Sequence, residues 1–325
     1  MVSTVPPPAK ALVTGAAGFI GSHLVDALLA RGYGVVGIDN MKLGRQANLA
    51  SARQHPGFKF FEADLNELAH CRKILAHEFQ SGPCTVAWHM AANSDIRAGV
   101  ADPDVDLQDT FLTTFNTLKL LREFQIPRLA FASTSAIYGE HAAALAEDMG
   151  PLFPISNYGA MKLASEAAIS AALESFLQQV WIFRFPNVIG SRSTHGAIHD
   201  FLLKLRRNPE ELEVLGDGSQ EKPYLHVSEL VEAMLFIQDR AQEKLNYFNI
   251  APQAGVTTVR YIAETVVRLA APNAKIRYTG GTRGWVGDVP KFRYDTTKLK
   301  GLGWAPKLSS DAAVELAVRE NLSAL

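Results

Sequence analysis

Through the first half of the chain, short apolar runs alternate with segments of helical period. Ala11 to Thr14, Val35 to Ile38, Phe58 to Phe61, Thr85 to Met90, Leu129 to Ser133 and Trp181 to Phe185 read as buried strands. After the first run, Phe19, Ile20, Leu24, Ala27 and Leu28 recur at the spacing of a helix packed on one side. This alternation predicts parallel strands joined by crossover helices, hence an α/β fold built on a Rossmann-type doubly wound sheet. Beyond Arg184 the rhythm breaks into mixed elements rich in Pro and Gly, through NPEELEVLGDGSQEKPYLHV and TGGTRGWVGDVP. Residues 1–185 are therefore expected to form one domain. Residues 186–325 form a smaller mixed one, with some segments returning to the first.

Leu107, Phe111, Thr114, Leu118 and Leu121 follow a three-four spacing that predicts a narrow helical stripe, and the stretch from Tyr158 to Phe176 is alanine-rich. Both patterns fit a homodimer joined through helices. They fit packing on the chain's own sheet equally.

A chain of 325 residues exceeds the usual span of one core, which agrees with two domains. With 20% charged residues and a formal charge of -1, it lacks the basic excess that nucleic acid or an anionic membrane requires, so small-molecule partners are expected. Cys71 and Cys84 make no disulfide framework and lack zinc spacing, which suits a reducing cytoplasm. The opening MVSTVPPPAK has no apolar leader core, and no run is long enough to cross a bilayer.

Candidate chemistry begins between the first strand and its helix, in TGAAGFIG. Gly15 suits the tight turn, Gly18 lets a pyrophosphate approach the backbone, and Gly21 lets helix and strand pack closely. The helix start at Phe19 and Ile20 offers N–H groups and a favourable dipole to an anion. Asp39, followed by Asn40, ends the second strand, where a carboxylate accepts hydrogen bonds from ribose hydroxyls and repels a 2′-phosphate. That predicts NAD over NADP, although Arg45 lies six residues on. Asp64 and Leu65 follow the third strand at the expected adenine edge. Ala91 and Ala92 end the fourth, where small residues let a cofactor lie close. His89 reads as a satisfied histidine at a strand end.

Tyr158 and Lys162 stand four apart at the start of a predicted helix and share one face. A phenol with a pKa of about 10 becomes a base at neutral pH only if neighbouring positive charge favours the phenolate. Lysine and a cationic nicotinamide ring are expected to supply roughly 4 kcal/mol for that. A second match, Tyr294 and Lys298, lies near the chain end with no strand before it and reads as structural. Ser133, Thr134 and Ser135 end the fifth strand and offer a hydroxyl donor to the oxygen that Tyr158 deprotonates.

Together TGAAGFIG, Asp39, HMAA, STSAIYG and YGAMK resemble the extended short-chain dehydrogenase/reductases, and among them the nucleotide-sugar epimerase/dehydratase family, along nearly the whole chain. The resemblance implies that residues 1–185 hold NAD tightly and that residues 186–325 grip a nucleoside diphosphate sugar, a UDP-sugar first. It assigns catalysis to Thr134, Tyr158 and Lys162. At the next two positions the family's 4,6-dehydratases carry Asp-Glu, and its decarboxylases keep a Glu; here they are Ser135 and Ala136. Elimination needs an acid that neither provides. The resemblance therefore favours 4-epimerisation through a 4-keto sugar. Another family reaction, whether 3,5-epimerisation, dehydration or reduction, and an NAD-binding regulatory role are the alternatives.

The same resemblance offers Ser94, Ser135 and Asn187 as substrate contacts. Lys222 stands where an arginine is usual after GDGSQ, and Arg283 lies five before Asp288 instead of three. Arg192 meets either a phosphate or solvent. His195 and His199 have the spacing of a helical metal pair, but Gly196 weakens the helix and no HExxH glutamate is present, so His195 is expected to line the sugar pocket and no metal is expected.

Overall fold

The computed structural model describes residues 9–252, 255–281, 289 and 291–323. Its centre is a seven-stranded parallel sheet. The strands are β1 (Lys10–Thr14), β2 (Gly34–Asp39), β3 (Phe58–Glu62), β4 (Cys84–His89), β5 (Arg128–Thr134), β6 (Gln179–Phe185) and β7 (Leu245–Asn249). Their order across the sheet is β7-β6-β5-β4-β1-β2-β3. The first six coincide with the six apolar runs to within a residue or two.

The runs are near-continuously apolar because both faces of the sheet are covered. Along each strand, successive side chains enter opposite cores. Val13, Trp88, Ala130, Trp181 and Phe183 join one core, whereas Leu12, Ala87, Phe131, Val180 and Ile182 join the other.

β7 is absent from the sequence expectations and comes from the second half of the chain. It pairs with β6 from Leu245↔Val180 to Asn249↔Arg184. Its sequence, LNYFN, hides the strand because two of its buried residues are asparagines. Asn246 Nδ2 donates to Val180 O at 3.1 Å and Asn249 Nδ2 to Leu145 O at 2.8 Å, so both are satisfied. The helix Val227–Arg240 likewise packs on the first core, beside the helix Phe19–Ala30. A separate core, with Leu205, Val214, Ile262, Val266 and Val314 at its centre, holds the helices Ala197–Arg207, Val259–Ala270 and Ser310–Ser323 together.

The predicted stripe from Leu107 to Leu121 is interrupted. Leu107–Leu112 forms a π-helical turn before the α-helix Thr113–Glu123. A wide turn rotates what precedes it, so Leu107 lies exposed while Thr114, Leu118 and Leu121 are buried. Phe111 stacks on exposed Phe115 with ring centroids 6.0 Å apart.

Candidate active site

The strand order reverses between β1 and β4, and a cavity of ≈ 560 Å³ opens beyond the C-terminal ends of the strands there. Gly15 adopts a φ of 68°, and a Cβ there would lie 2.7 Å from Ala91 N. At Gly21 a Cβ would lie 1.9 Å from Gly15 O, so only glycine lets the helix Phe19–Ala30 approach the turn. Gly18 caps that helix without any side-chain hydrogen bond, which leaves the first-turn N–H groups to a ligand.

Asp39 is buried and accepts from Ala17 N at 2.9 Å and Met41 N at 2.8 Å, which holds its carboxylate on the cavity wall. Burial raises its pKa, and these N–H donors oppose the rise. Phe19, Ile20, Asn40, Leu65, Ala91 and Ala92 complete this end. Asp64 stands off the lining, where Asn40 Nδ2 donates to it at 3.2 Å and Lys42 Nζ pairs with it at 3.7 Å. A glycine turn, an open helix start and a fixed acid suit a dinucleotide.

At the other end, Thr134, Tyr158 and Lys162 share the wall of the same cavity. Ser156 caps the helix Asn157–Ser175 by accepting from Gly159 N at 3.1 Å, so the helix begins just before the tyrosine. Thr134 ends β5, and its side chain bonds that of Tyr158. Lys162 is 2% exposed. Its ammonium donates to Ala132 O at 2.7 Å, 4.6 Å from the Phe131 ring centroid and 6.0 Å from that of Tyr158. Burial draws its pKa down to about 7, against the pull of Glu166.

For Tyr158, the expected depression is not reached, and its pKa is raised. Burial and the Asp106 charge push its pKa up, and the Thr134 hydrogen bond only partly counters them.

His89, just behind this wall, is fully buried between Thr14 Oγ1 at 2.6 Å and Thr114 Oγ1 at 3.0 Å. Burial pushes its pKa down to about 3, so it is a neutral structural histidine. Tyr294 bridges to Leu145 and is not itself part of the cavity lining.

Ser94, Ser135, Asn187, His195 and Lys222 all line the cavity. His199 joins His195 on the wall, and burial lowers the pKa of His195. Arg192 does not join them: its guanidinium pairs with Asp26 of the helix Phe19–Ala30 at 2.7 Å. Arg283 and Asp288 lie outside the described residues.

Sequence reasoning missed Asn93, Asp95, Asp109, Gln220 and Tyr224, which also line the cavity. The π turn carries Asp109, whose carbonyl accepts from Asn93 N at 3.0 Å. Gln220 and Tyr224 flank Lys222, and their proximity to that predicted contact was the one available signal.

A family model described as the NAD dependent epimerase/dehydratase family matches residues 11–251. A UDP-glucose 4-epimerase of Mycolicibacterium smegmatis is 31% identical over 92% of this chain and 94% of its own length. A UDP-glucuronate 4-epimerase of Thermodesulfobacterium geofontis is 25% identical over 96% of each chain. Among solved structures, a UDP-glucose 4-epimerase of Thermus thermophilus in complex with NAD superposes with a TM-score of 0.84. It is 29% identical, and the match covers 97% of this chain and all of that one.

Proposed function

The chain belongs to the NAD-dependent epimerase/dehydratase family, and from that premise we propose that it is a nucleoside diphosphate sugar 4-epimerase. One observation carries the reading. Thr134, Tyr158 and Lys162 converge on a single cavity that also holds the glycine turn and Asp39. Bound NAD would supply reversible hydride transfer at C4 of the sugar.

The chain's own residues manage the proton and the geometry. Gly15, Gly18 and the open helix start receive the pyrophosphate, and Asp39 receives the adenosine ribose. Tyr158 takes the proton from the C4 hydroxyl and later gives it back. Thr134 donates to the same oxygen, and Lys162 holds the nicotinamide ribose while its ammonium favours the phenolate. Elimination would need an acid beside Thr134, whereas Ser135 and Ala136 occupy that stretch. Asn187, His195 and Lys222 line the same cavity and would contact the nucleotide-sugar. The names of the relatives make UDP-sugars the first substrates to test.

Residues 1–185 then bind NAD, and much of 186–325 binds the sugar nucleotide, with β7 and the helix Val227–Arg240 returned to the first domain. Exposed Leu107 and Phe115, on the π turn Leu107–Leu112 and the helix Thr113–Glu123, favour a homodimer through that stretch, which light scattering tests. No helix among the described residues is long and apolar enough to cross a membrane, and both cysteines are free and buried, in keeping with a cytoplasmic enzyme.

The decisive experiment incubates the purified protein, without added reductant, with UDP-glucose, UDP-N-acetylglucosamine and UDP-glucuronate. Nuclear magnetic resonance should show interconversion at C4 for at least one of them. A product that has lost water or carbon dioxide, or steady NADH turnover, would refute the 4-epimerase reading.

A further inference from the structure

Consecutive residues of β5 are each held by a different turn of the helix Asn157–Ser175. Thr134 bonds Tyr158, Ala132 O accepts from Lys162 Nζ at 2.7 Å, and Ser133 Oγ donates to Glu166 Oε1 at 2.5 Å. Tyr158, Lys162 and Glu166 are spaced by four residues and therefore form one stripe along the helix. The first two rungs are the proton-transfer pair. The third has no part in the chemistry derived above.

Glu166 is 6% exposed and carries a bidentate ion pair with Arg184 of β6: Nη2 lies 2.7 Å from Oε2 and Nε 3.1 Å from Oε1. Arg184 Nη1 donates in turn to the Tyr138 hydroxyl at 3.0 Å, which donates to Asn249 Oδ1 of β7 at 2.8 Å. One carboxylate thus ties the catalytic helix to β5 and, through Arg184, to the far side of the sheet. Apolar contacts would join helix and sheet too, but they tolerate small slides that directional bonds to a planar guanidinium resist.

We infer that Glu166 is a positioning residue of the reaction: it sets the height of the catalytic helix over β5 and supplies the negative charge facing the buried Lys162 ammonium. The other groups around Lys162 do not fill that role. Tyr158 lies on its own helix, and His89 from β4 is neutral. Arg184 from β6 brings positive charge matched to Glu166, and Asp106, from the helix Pro103–Asp106, acts on Tyr158. Without Glu166 the ammonium loses its proton more readily, and Tyr158 loses the neighbouring charge that favours its ionised form.

Only the kinetic part of the test rests on the 4-epimerase reading. Glu166→Gln and Ser133→Ala are prepared as NAD-loaded enzymes. The kcat and KM for UDP-glucose, the retained NAD and the ultraviolet phenolate titration of Tyr158, taken against Tyr158→Phe, are measured for each. Glu166→Gln should keep its NAD, lose at least about tenfold in kcat with KM changed by less than about threefold, and titrate about one pH unit higher at Tyr158. Ser133→Ala, which spares the ion pair, should lose roughly three- to tenfold in kcat. A lower melting temperature with kcat and the titration unmoved makes Glu166 merely structural and overturns the inference. Should Glu166→Gln not fold, Ser133→Ala decides alone, and an unchanged kcat there refutes it. If the wild type interconverts no sugar, the 4-epimerase reading fails, and the phenolate titration still decides the role of Glu166.

Discussion

Replacing Lys162 by methionine should stabilise the fold while abolishing turnover. The ammonium is 2% exposed, and its pKa falls from 10.5 to about 7. That difference corresponds to roughly 5 kcal/mol spent on burying the charge, net of the opposing attraction of Glu166, and it sets a ceiling on the effect. Replacing a buried ion pair by apolar side chains of similar size often returns about 1–4 kcal/mol, and exchanging Lys162 alone has the same sign because Glu166 keeps Arg184 as its partner. The unfolded chain keeps the proton up to pH 10.5, whereas the folded chain releases it near 7, so between those limits the unfolded state binds more protons and wild-type stability rises with pH. Below about 7 both states are charged and the full cost applies. Urea unfolding of wild type and Lys162→Met, at equal NAD and ionic strength, should therefore show a gap in favour of the variant at about pH 6 that narrows by roughly 3 kcal/mol at about pH 9. A gap that does not change with pH, or a variant less stable at about pH 6, would refute the reasoning.

Tyr158→Phe should retain NAD and its melting temperature but lose about a thousandfold or more in kcat, as read by coupled assay of C4 interconversion. Gly21→Ala places a methyl group 1.9 Å from Gly15 O, so the purified protein should carry little NAD and melt several degrees lower, checked by absorbance after denaturation and by calorimetry. Asp39→Asn keeps the acceptor geometry but removes the charge that repels a 2′-phosphate. Fluorescence titration should show the preference for NAD over NADP falling by about tenfold. Thr134→Val removes the hydroxyl that lowers the Tyr158 pKa, so the acid limb of the kcat profile should move to higher pH while NAD content is unchanged.

Local order wrote much of this protein into its sequence. Six strands were legible because burial on both faces makes each a short apolar run, and Tyr158 and Lys162 were legible because residues four apart must share a helical face. The glycines were legible for a similar reason, since Gly15 and Gly21 meet contacts that no Cβ can enter, and the constraint lies within one turn of chain. Tertiary structure decided what depends on distant segments meeting. β7 was hidden because Asn246 and Asn249 are buried polar residues whose partners lie 66 and 104 positions away. The π turn at Leu107–Leu112 rotated half of an otherwise regular stripe out of register. Arg192 was drawn from the cavity by Asp26, and Glu166 was set against Ser133 and Arg184 by the stacking of a helix on two neighbouring strands. Periodicity and spacing record forces along the chain, whereas ion pairs and buried hydrogen bonds across it depend on a packing that neither encodes.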